Sequence, residues 1–455
     1  MVVKNVISVI DGAAGSCGKA KLVGEIATDK TIPLNAAITH CMPNAGHTFV
    51  DEKGNAIVFR NIPVSAINPN TELFIGPGSA IDMEVFMEEY AKVEPLLGDR
   101  KIYVHEMVPL IEERHKEYER RTITSGSTFK GCGAVTQEKV IRKPELQFFK
   151  GYKNALVCSN EEWMDRLYSH LDNPNGYVVM EGAQGCDLDL NHSGNYPYVT
   201  SRNVSTAQLL ADSGISAERL LETLMVIRPF PIRISDITRD GRFISSGSYG
   251  TGDRLMWTQL NLSSMYGSYP FKGDVECYPY DLEPRRIKKL MVHCPEVYLK
   301  QLFGMGYRLK KIEEITLLEA LELERLVYKS RGFSEYESRI IELPMISSEY
   351  PPNTIIDQSE QTSVTKMERK LYDLDIQKLK NNCRINTPYA LYLNFYQHLD
   401  LSYEHKCGNF EDYYFNRYVR NYFDWLESET NRDICALGTG AKNREYILKK
   451  EFIRR

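Results

Sequence analysis

A largely β-branched apolar run, Val6-Ile7-Ser8-Val9-Ile10, opens the chain with Ser8 as its one polar interruption. A run of this kind suits a strand buried on both faces, as in a parallel sheet. Comparable runs return at residues 36–40, 72–75, 101–105, 177–180 and 225–228. Between them the apolar spacing lengthens to the helical period over residues 81–97, 108–121 and 204–211. This alternation, kept up to about residue 260, predicts an α/β fold with a mostly parallel central sheet flanked by helices. The character then changes. Tyr, Pro and Ser gather at 263–281, a charged amphipathic helix is expected at 312–329, and Tyr350-Pro351-Pro352 breaks the chain. Residues 261–358 therefore read as a large insertion or subdomain, with 1–260 and 359–455 forming the main domain. A strongly aromatic helix is expected at 411–427, its rings (Tyr413, Tyr414, Phe415, Tyr418, Tyr422, Phe423 and Trp425) serving core and dimer packing.

The length of 455 residues fits one large α/β unit or a core carrying an inserted subdomain. A formal net charge of −5 and a pI near 6.1 argue against a general nucleic-acid binder. No apolar run approaches the roughly 20 residues needed to cross a membrane, and no signal-peptide core is visible at the N-terminus. The ten cysteines form no CxxC pair and no zinc-type cluster, which predicts reduced thiols of a cytoplasmic protein.

After the first strand comes Asp11-Gly12-Ala13-Ala14-Gly15-Ser16-Cys17-Gly18-Lys19-Ala20-Lys21. Strand, glycine-rich loop, lysine and helix start make an anion site, because glycines admit backbone N–H groups to phosphate oxygens and the helix end adds its dipole. The spacing departs from Walker A, with five residues between Gly12 and Gly18 and Ala20 where Ser or Thr would hold Mg²⁺. Pro43-Asn44-Ala45-Gly46-His47-Thr48 places a histidine on a turn, able to protonate a developing oxyanion. Gly126-Ser127-Thr128-Phe129-Lys130-Gly131-Cys132-Gly133, with Arg142 further on, offers small donors and cations suited to a monophosphate. Glu181-Gly182-Ala183-Gln184-Gly185 follows a strand, and Gln184 can read a purine edge with both donor and acceptor. In Asn195-Tyr196-Pro197-Tyr198-Val199-Thr200-Ser201-Arg202-Asn203, Thr200 and Ser201 could bind phosphate, with Ser201 or Asn203 capping the next helix. Each cluster taken alone also has a purely structural explanation, as a packed turn, a cap or a solvated charge.

Taken in order, these motifs resemble adenylosuccinate synthetase. In that family a nucleoside triphosphate phosphorylates the 6-oxygen of a purine nucleotide, and aspartate then displaces phosphate. The family's loop reads Gly-Asp-Glu-Gly-Lys-Gly-Lys, its Asp being the base that also ligates Mg²⁺; here Ser16 stands in its place. That change, with Gly126–Gly131, resembles a phage branch that makes 2-amino-2′-deoxyadenylosuccinate from dGMP, ATP and aspartate. A hydroxyl in place of a carboxylate frees volume and supplies an acceptor beside a guanine 2-amino group. The resemblance implies Lys19, Gly15 and Gly18 on the transferring phosphate, His47 as general acid, Ser16 and Gln184 on the purine, and Ser16 with Gly46 at Mg²⁺. It places Asn44, Thr128, Lys130, Thr200 and Arg369 on the nucleotide and its phosphate, with Arg142 reaching across from the partner of a homodimer.

Glu360-Gln361-Thr362-Ser363-Val364-Thr365-Lys366 resembles the aspartate loop, although Met367 replaces the arginine that grips the amino-acid carboxylate. A one-residue shift would bring Lys366 to that place without the bidentate fork, so another amino-acid donor stays open. Asn394, Phe395 and Gln397 fall where GTP-using members read guanine with Lys and Asp, which implies ATP or dATP as donor, closed over by Gly438-Thr439-Gly440. Two other readings stay open: a divergent synthetase acting on IMP, and a nucleotide-binding regulator without catalysis.

Overall fold

The structure is a computed structural model that describes residues 2–125, 127–239, 242–247, 249, 254–255, 260, 360, 369–415 and 417–454. The first strand, β1 (Val6–Asp11), is buried at every position and lies centrally in an eleven-stranded sheet. Around it come β2 (Leu34–Thr39), the hairpin β3 (His47–Val50) and β4 (Ala56–Phe59), β5 (Glu72–Ile75), β6 (Ile102–His105), β7 (Ala155–Cys158), β8 (Tyr177–Glu181) and β9 (Leu220–Ile227). The short strands β10 (Ile232–Arg233), β11 (Ile237–Arg239), β12 (Arg242–Ile244) and β13 (Arg254–Leu255) follow, then β14 (Lys370–Tyr372), β15 (Ala390–Leu393), β16 (Gly408–Asn409), β17 (Ile434–Gly438) and β18 (Tyr446–Leu448). The large sheet runs β16-β18-β17-β15-β9-β1-β8-β2-β5-β6-β7, parallel except where β18 returns against β17. The expected α/β class is met.

Successive residues of β1 go to opposite faces, as the strand period requires. Val6 and Ile10 join one core with Trp163, Leu379 and Tyr422; Ile7 and Val9 join the other with Leu22, Ile26 and Phe86. Ser8 on the first face is matched by Thr206 Oγ1 at 3.0 Å, so the one polar residue of the run is not left unpaired.

The helices that frame the site are α1 (Lys19–Thr28), α2 (Met83–Leu97), α3 (Glu113–Thr122), α4 (Cys132–Val140), α5 (Asn160–Leu171), α6 (Thr206–Ser213), α7 (Ile376–Asn386) and α8 (Arg417–Thr430). Among the boundaries that differ from expectation, three have a visible cause. α3 starts at 113 rather than 108, because Pro109 pairs with Phe148 and Leu110 with Ile81 in isolated bridges. The cap of α6 is Ser205, whose side chain accepts from the Gln208 amide at 3.3 Å, rather than Ser201 or Asn203. α8 starts at 417, since Phe410–Asp412 forms a 3-10 turn and Phe415 stacks on Phe410 with ring centroids 4.5 Å apart. Tyr413, Tyr414 and Phe415 thus precede the helix, and Tyr414 is exposed. The helix expected at 312–329 lies outside the described residues.

Candidate active site

β1 delivers Asp11 to its C-terminal end, at the floor of the glycine loop. Asp11 Oδ1 accepts from the amides of Ala13 (2.9 Å) and Gly15 (3.1 Å), and Oδ2 accepts from that of Cys17 (2.9 Å). Lys19, the first residue of α1, brings its Nζ to 3.4 Å from Oδ2 and donates to the Gln184 carbonyl at 2.7 Å. Gly15 and Gly18 turn at φ +94° and +89°, which an L side chain resists. No side chain caps α1, although the Lys21 amide bonds the carbonyl of the capping residue Gly18 at 3.0 Å. Cys17 is buried, and burial together with the Asp11 charge pushes its thiol up, as expected of a packed neutral cysteine. The 181–185 turn closes directly on this loop. Gln184 sits at φ +60°, and a Cβ on Gly185 would lie 2.2 Å from Ala13 O and 2.3 Å from Gly15 N. Glu181 turns the other way, accepting from the Val64 and Ser65 amides, and burial raises it to about 7.

Ser16 faces away from the loop floor. Its Oγ accepts from Arg369 Nη1 at 2.7 Å, and its carbonyl accepts from Arg228 Nη1 at 3.0 Å. Arg228, fully buried at the end of β9, also pairs with Glu360 and lies over the Phe395 ring, 4.1 Å from its centre. No role for Arg228 or Asp11 is evident from spacing. The available signal is that a charge ending an apolar strand must find a buried partner.

His47 begins β3, with its ring beside the Cys41 thiol at 3.7 Å from Nδ1. Burial, then the Lys19 cation, hold the imidazole down at about 3, well below the near-neutral value expected of a turn histidine. The same turn extends to Asn44, whose backbone amide lies against the Cys132 thiol at the start of α4. Here Glu119 of α3 accepts from the amides of Gly131 (2.8 Å), Gly133 (2.7 Å) and Ala134 (3.3 Å). The Gly131–Gly133 donors expected to hold a monophosphate are therefore occupied by a carboxylate of the chain itself. Thr128 is exposed and Lys130 half-buried beside this turn, and a Cβ on Gly133 would come within 3.4 Å of Ser201, next to Thr200. Arg142 is exposed at φ +58° past the end of α4.

On the other flank, Asn394 Nδ2 donates to the Cys17 carbonyl at 2.9 Å. A Cβ on Gly18 or on Gly438 would each strike the Asn394 amide at 2.1 Å, so loop, amide and turn are stacked. Gln397 Oε1 is buried without a hydrogen-bond partner. Thr439 spends its hydroxyl on the Lys406 carbonyl, and Gly440 abuts Glu445. Gly46 is exposed just before His47. Thr362, Ser363, Val364, Thr365, Lys366 and Met367 lie outside the described residues.

Against known proteins, the adenylosuccinate synthetase family profile matches residues 9–160 and 145–252. The chain belongs to the adenylosuccinate synthetase family. Two relatives are N6-succino-2-amino-2′-deoxyadenylate synthases. That of Vibrio phage phiVC8 is 34% identical over 269 residues, 56% of this chain and 74% of the relative. That of cyanophage S-2L is 31% identical over 278 residues, 58% of this chain and 73% of the relative. The solved structure of cyanophage S-2L succinoaminodeoxyadenylate synthetase (PurZ), bound to dGMP and dATP as an energy donor, superposes with a TM-score of 0.66. That match covers 98% of this chain and 95% of the other at 21% identity, a likeness of fold.

Proposed function

We propose that this member of the adenylosuccinate synthetase family is a carbon–nitrogen ligase acting on dGMP, with ATP or dATP as phosphate donor and aspartate as amine donor. Its product is N6-succino-2-amino-2′-deoxyadenylate, on the way to diaminopurine nucleotides. The observation that carries this reading is Ser16, a small neutral group in the phosphate loop, held by Arg369 at 2.7 Å. With one lone pair taken by the guanidinium, its oxygen keeps an acceptor for a guanine N–H, which unpaired would cost about 1–3 kcal/mol. The phage relatives bearing the same activity name agree with it.

In the first step the purine N1 gives up its proton as the donor's γ-phosphoryl passes to the 6-oxygen, releasing ADP or dADP and that proton. Lys19 and the uncapped N–H groups of α1 stabilise charge on the transferring group. In the second step the aspartate amine attacks C6, the C6–O bond breaks and phosphate leaves, with the nitrogen's extra protons released. His47 is neutral when the site is free and donates an N–H to the 6-oxygen. A phosphoryl anion beside it opposes the Lys19 field, raising its proton affinity so that it can act as general acid. Thr128, Lys130, Thr200 and Asn44 would hold the acceptor nucleotide, and Thr362–Lys366 the amino acid. Gln397 Oε1, a buried acceptor without a partner, suits adenine's 6-amino group, where guanine offers a carbonyl.

Mg²⁺ belongs to this reading as a companion of the donor phosphates, the usual habit of the ion. The residues present do not fit a protein-built site. The Ser16 hydroxyl is faced by a guanidinium, Asp11 is surrounded by donors, and no cluster of three or more His, Cys, Asp or Glu among the described residues could hold a metal. The exposed Val140 and Ile141 beside Arg142 support a homodimer in which Arg142 crosses to the partner's nucleotide. Among the described residues no helix is long and apolar enough to cross a membrane, and we place the enzyme in the cytoplasm, with residues 261–358 as an insertion on a 1–260 and 359–455 core.

The test is mass spectrometry of purified protein with Mg²⁺, ATP and aspartate, comparing dGMP with IMP. Succinylated product from dGMP with release of ADP and phosphate is the expected result. Product from IMP alone would replace the reading with an ordinary synthetase, and silence with both would leave a nucleotide-binding regulator.

A further inference from the structure

We propose that Asp11 is a positioning residue: its carboxylate is a built-in anion that shapes the phosphate loop before any nucleotide arrives and thereby aims Ser16 and Lys19. The inference rests on the loop's assignment to donor phosphate. Asp11 is 1% exposed, at the end of the central strand, where its backbone is already fixed by pairing with β9. It gathers the amides of residues 13, 15 and 17, at 2.9, 3.1 and 2.9 Å. These alternate N–H groups, all turned to one side, form a concavity that would otherwise take an outside anion. With residues 15 and 17 bound inward, Ser16 between them must point outward, and there its Oγ meets Arg369. The same carboxylate lies 3.4 Å from Lys19 Nζ, which also donates to the Gln184 carbonyl. Lys19 is thus held against the loop by three oxygens, the third being Gly15 O at 3.4 Å, instead of ranging over the surface. Gly185 is required by the same arrangement, since a Cβ there would stand 2.7 Å from Asp11 Oδ1.

An internal anion next to Lys19 has an electrostatic signature that a plain structural hydrogen bond lacks. Removing its charge leaves the loop more positive, so ground-state affinity for an anionic nucleotide holds or rises. The geometry for transfer is lost at the same time, because an amide NH₂ turned to the Cys17 amide cannot accept from it. Asp11→Asn should therefore lower kcat about 100-fold, the scale of a small misplacement, with calorimetric ADP affinity unchanged or tighter. A kcat within about threefold of wild type would overturn the proposal. So would ADP affinity, Tm and kcat falling together, which would mean a structural role only.

A second measurement needs no variant. Hydrogen–deuterium exchange on the nucleotide-free wild type should find the amides of residues 13, 15 and 17 already protected, with little added by ADP. Fast exchange that ADP suppresses would refute the pre-shaped loop. If the wild type makes no product from dGMP, the ligase reading fails, whereas the ADP and exchange measurements still decide the role of Asp11.

Discussion

Two glycine-rich turns in this molecule are each folded around a buried carboxylate, and they end in opposite states. At the first, Asp11 sits beneath the loop and binds the amides of residues 13, 15 and 17, ahead of the helix. The start of α1 itself carries no side-chain cap. At the second, Glu119 reaches across from α3 and takes the amides of residues 131, 133 and 134, so the start of α4 is filled. The first turn has Lys19 at hand and His47 within reach of its charge. The second is left with side chains, Thr128 and Lys130, to meet a ligand. Both carboxylates take amides that would otherwise meet an anion, the Gly15 amide included; the difference is that Asp11 does so ahead of α1 and beside Lys19, whereas Glu119 takes the amides at the start of α4 itself.

The contrast can be broken in several places. His47→Ala should abolish turnover, by about 10²–10⁴-fold, with dGMP affinity near normal by calorimetry. Unchanged turnover would remove His47 from the chemistry and leave the first turn without its acid. Gly185→Ala comes next, since its Cβ would meet backbone atoms of Ala13 and Gly15 that cannot swing aside. It should lower kcat about 100-fold and stability by about 1–3 kcal/mol, read from steady-state kinetics and denaturant titration.

Glu119→Gln tests the other turn. Stability should drop by about 1–3 kcal/mol as charged acceptance is lost, and KM for dGMP should rise more than kcat falls. A kcat loss as deep as that of Gly185→Ala would erase the difference between the two turns. The smallest effect is spectroscopic. Burial and Lys19 depress His47 to about 3 from 6.5, so its ring resonances in the free protein should stay flat between about pH 5 and 8. The folded value lies below the unfolded one, so the ring's contribution to stability is full above pH 6.5 and fades as pH falls toward 3. A midpoint near 6.5 would mean a solvated histidine outside the Lys19 field.

Much of this was readable along the chain. The apolar runs at 6–10, 72–75 and 177–180 became strands within a residue, because a strand buried on both faces leaves no freedom in its pattern. Gly15 and Gly18 were readable for the same kind of local reason, as positions of positive φ ahead of a lysine. The start of α3 and the aromatic segment before α8 were not, since bridges to Ile81 and Phe148 and a stack on Phe410 override local helix preference there.

Sequence by itself therefore determined the strand and helix order, the glycine turns and the residue types available for phosphate chemistry. Tertiary structure alone decided which of those donors stay open. Whether an amide is free depends on what lies within about 3 Å of it. The groups that answered for the amides were Asp11 at a strand end and Glu119 on another helix, while Arg228 just past β9 and Arg369 just before β14 donate to the carbonyl and hydroxyl of Ser16. Glu119, Arg228 and Arg369 come from distant stretches of chain, and no spacing rule reaches that far. Packing brings them there, and a buried charge then has to take whatever partner it finds.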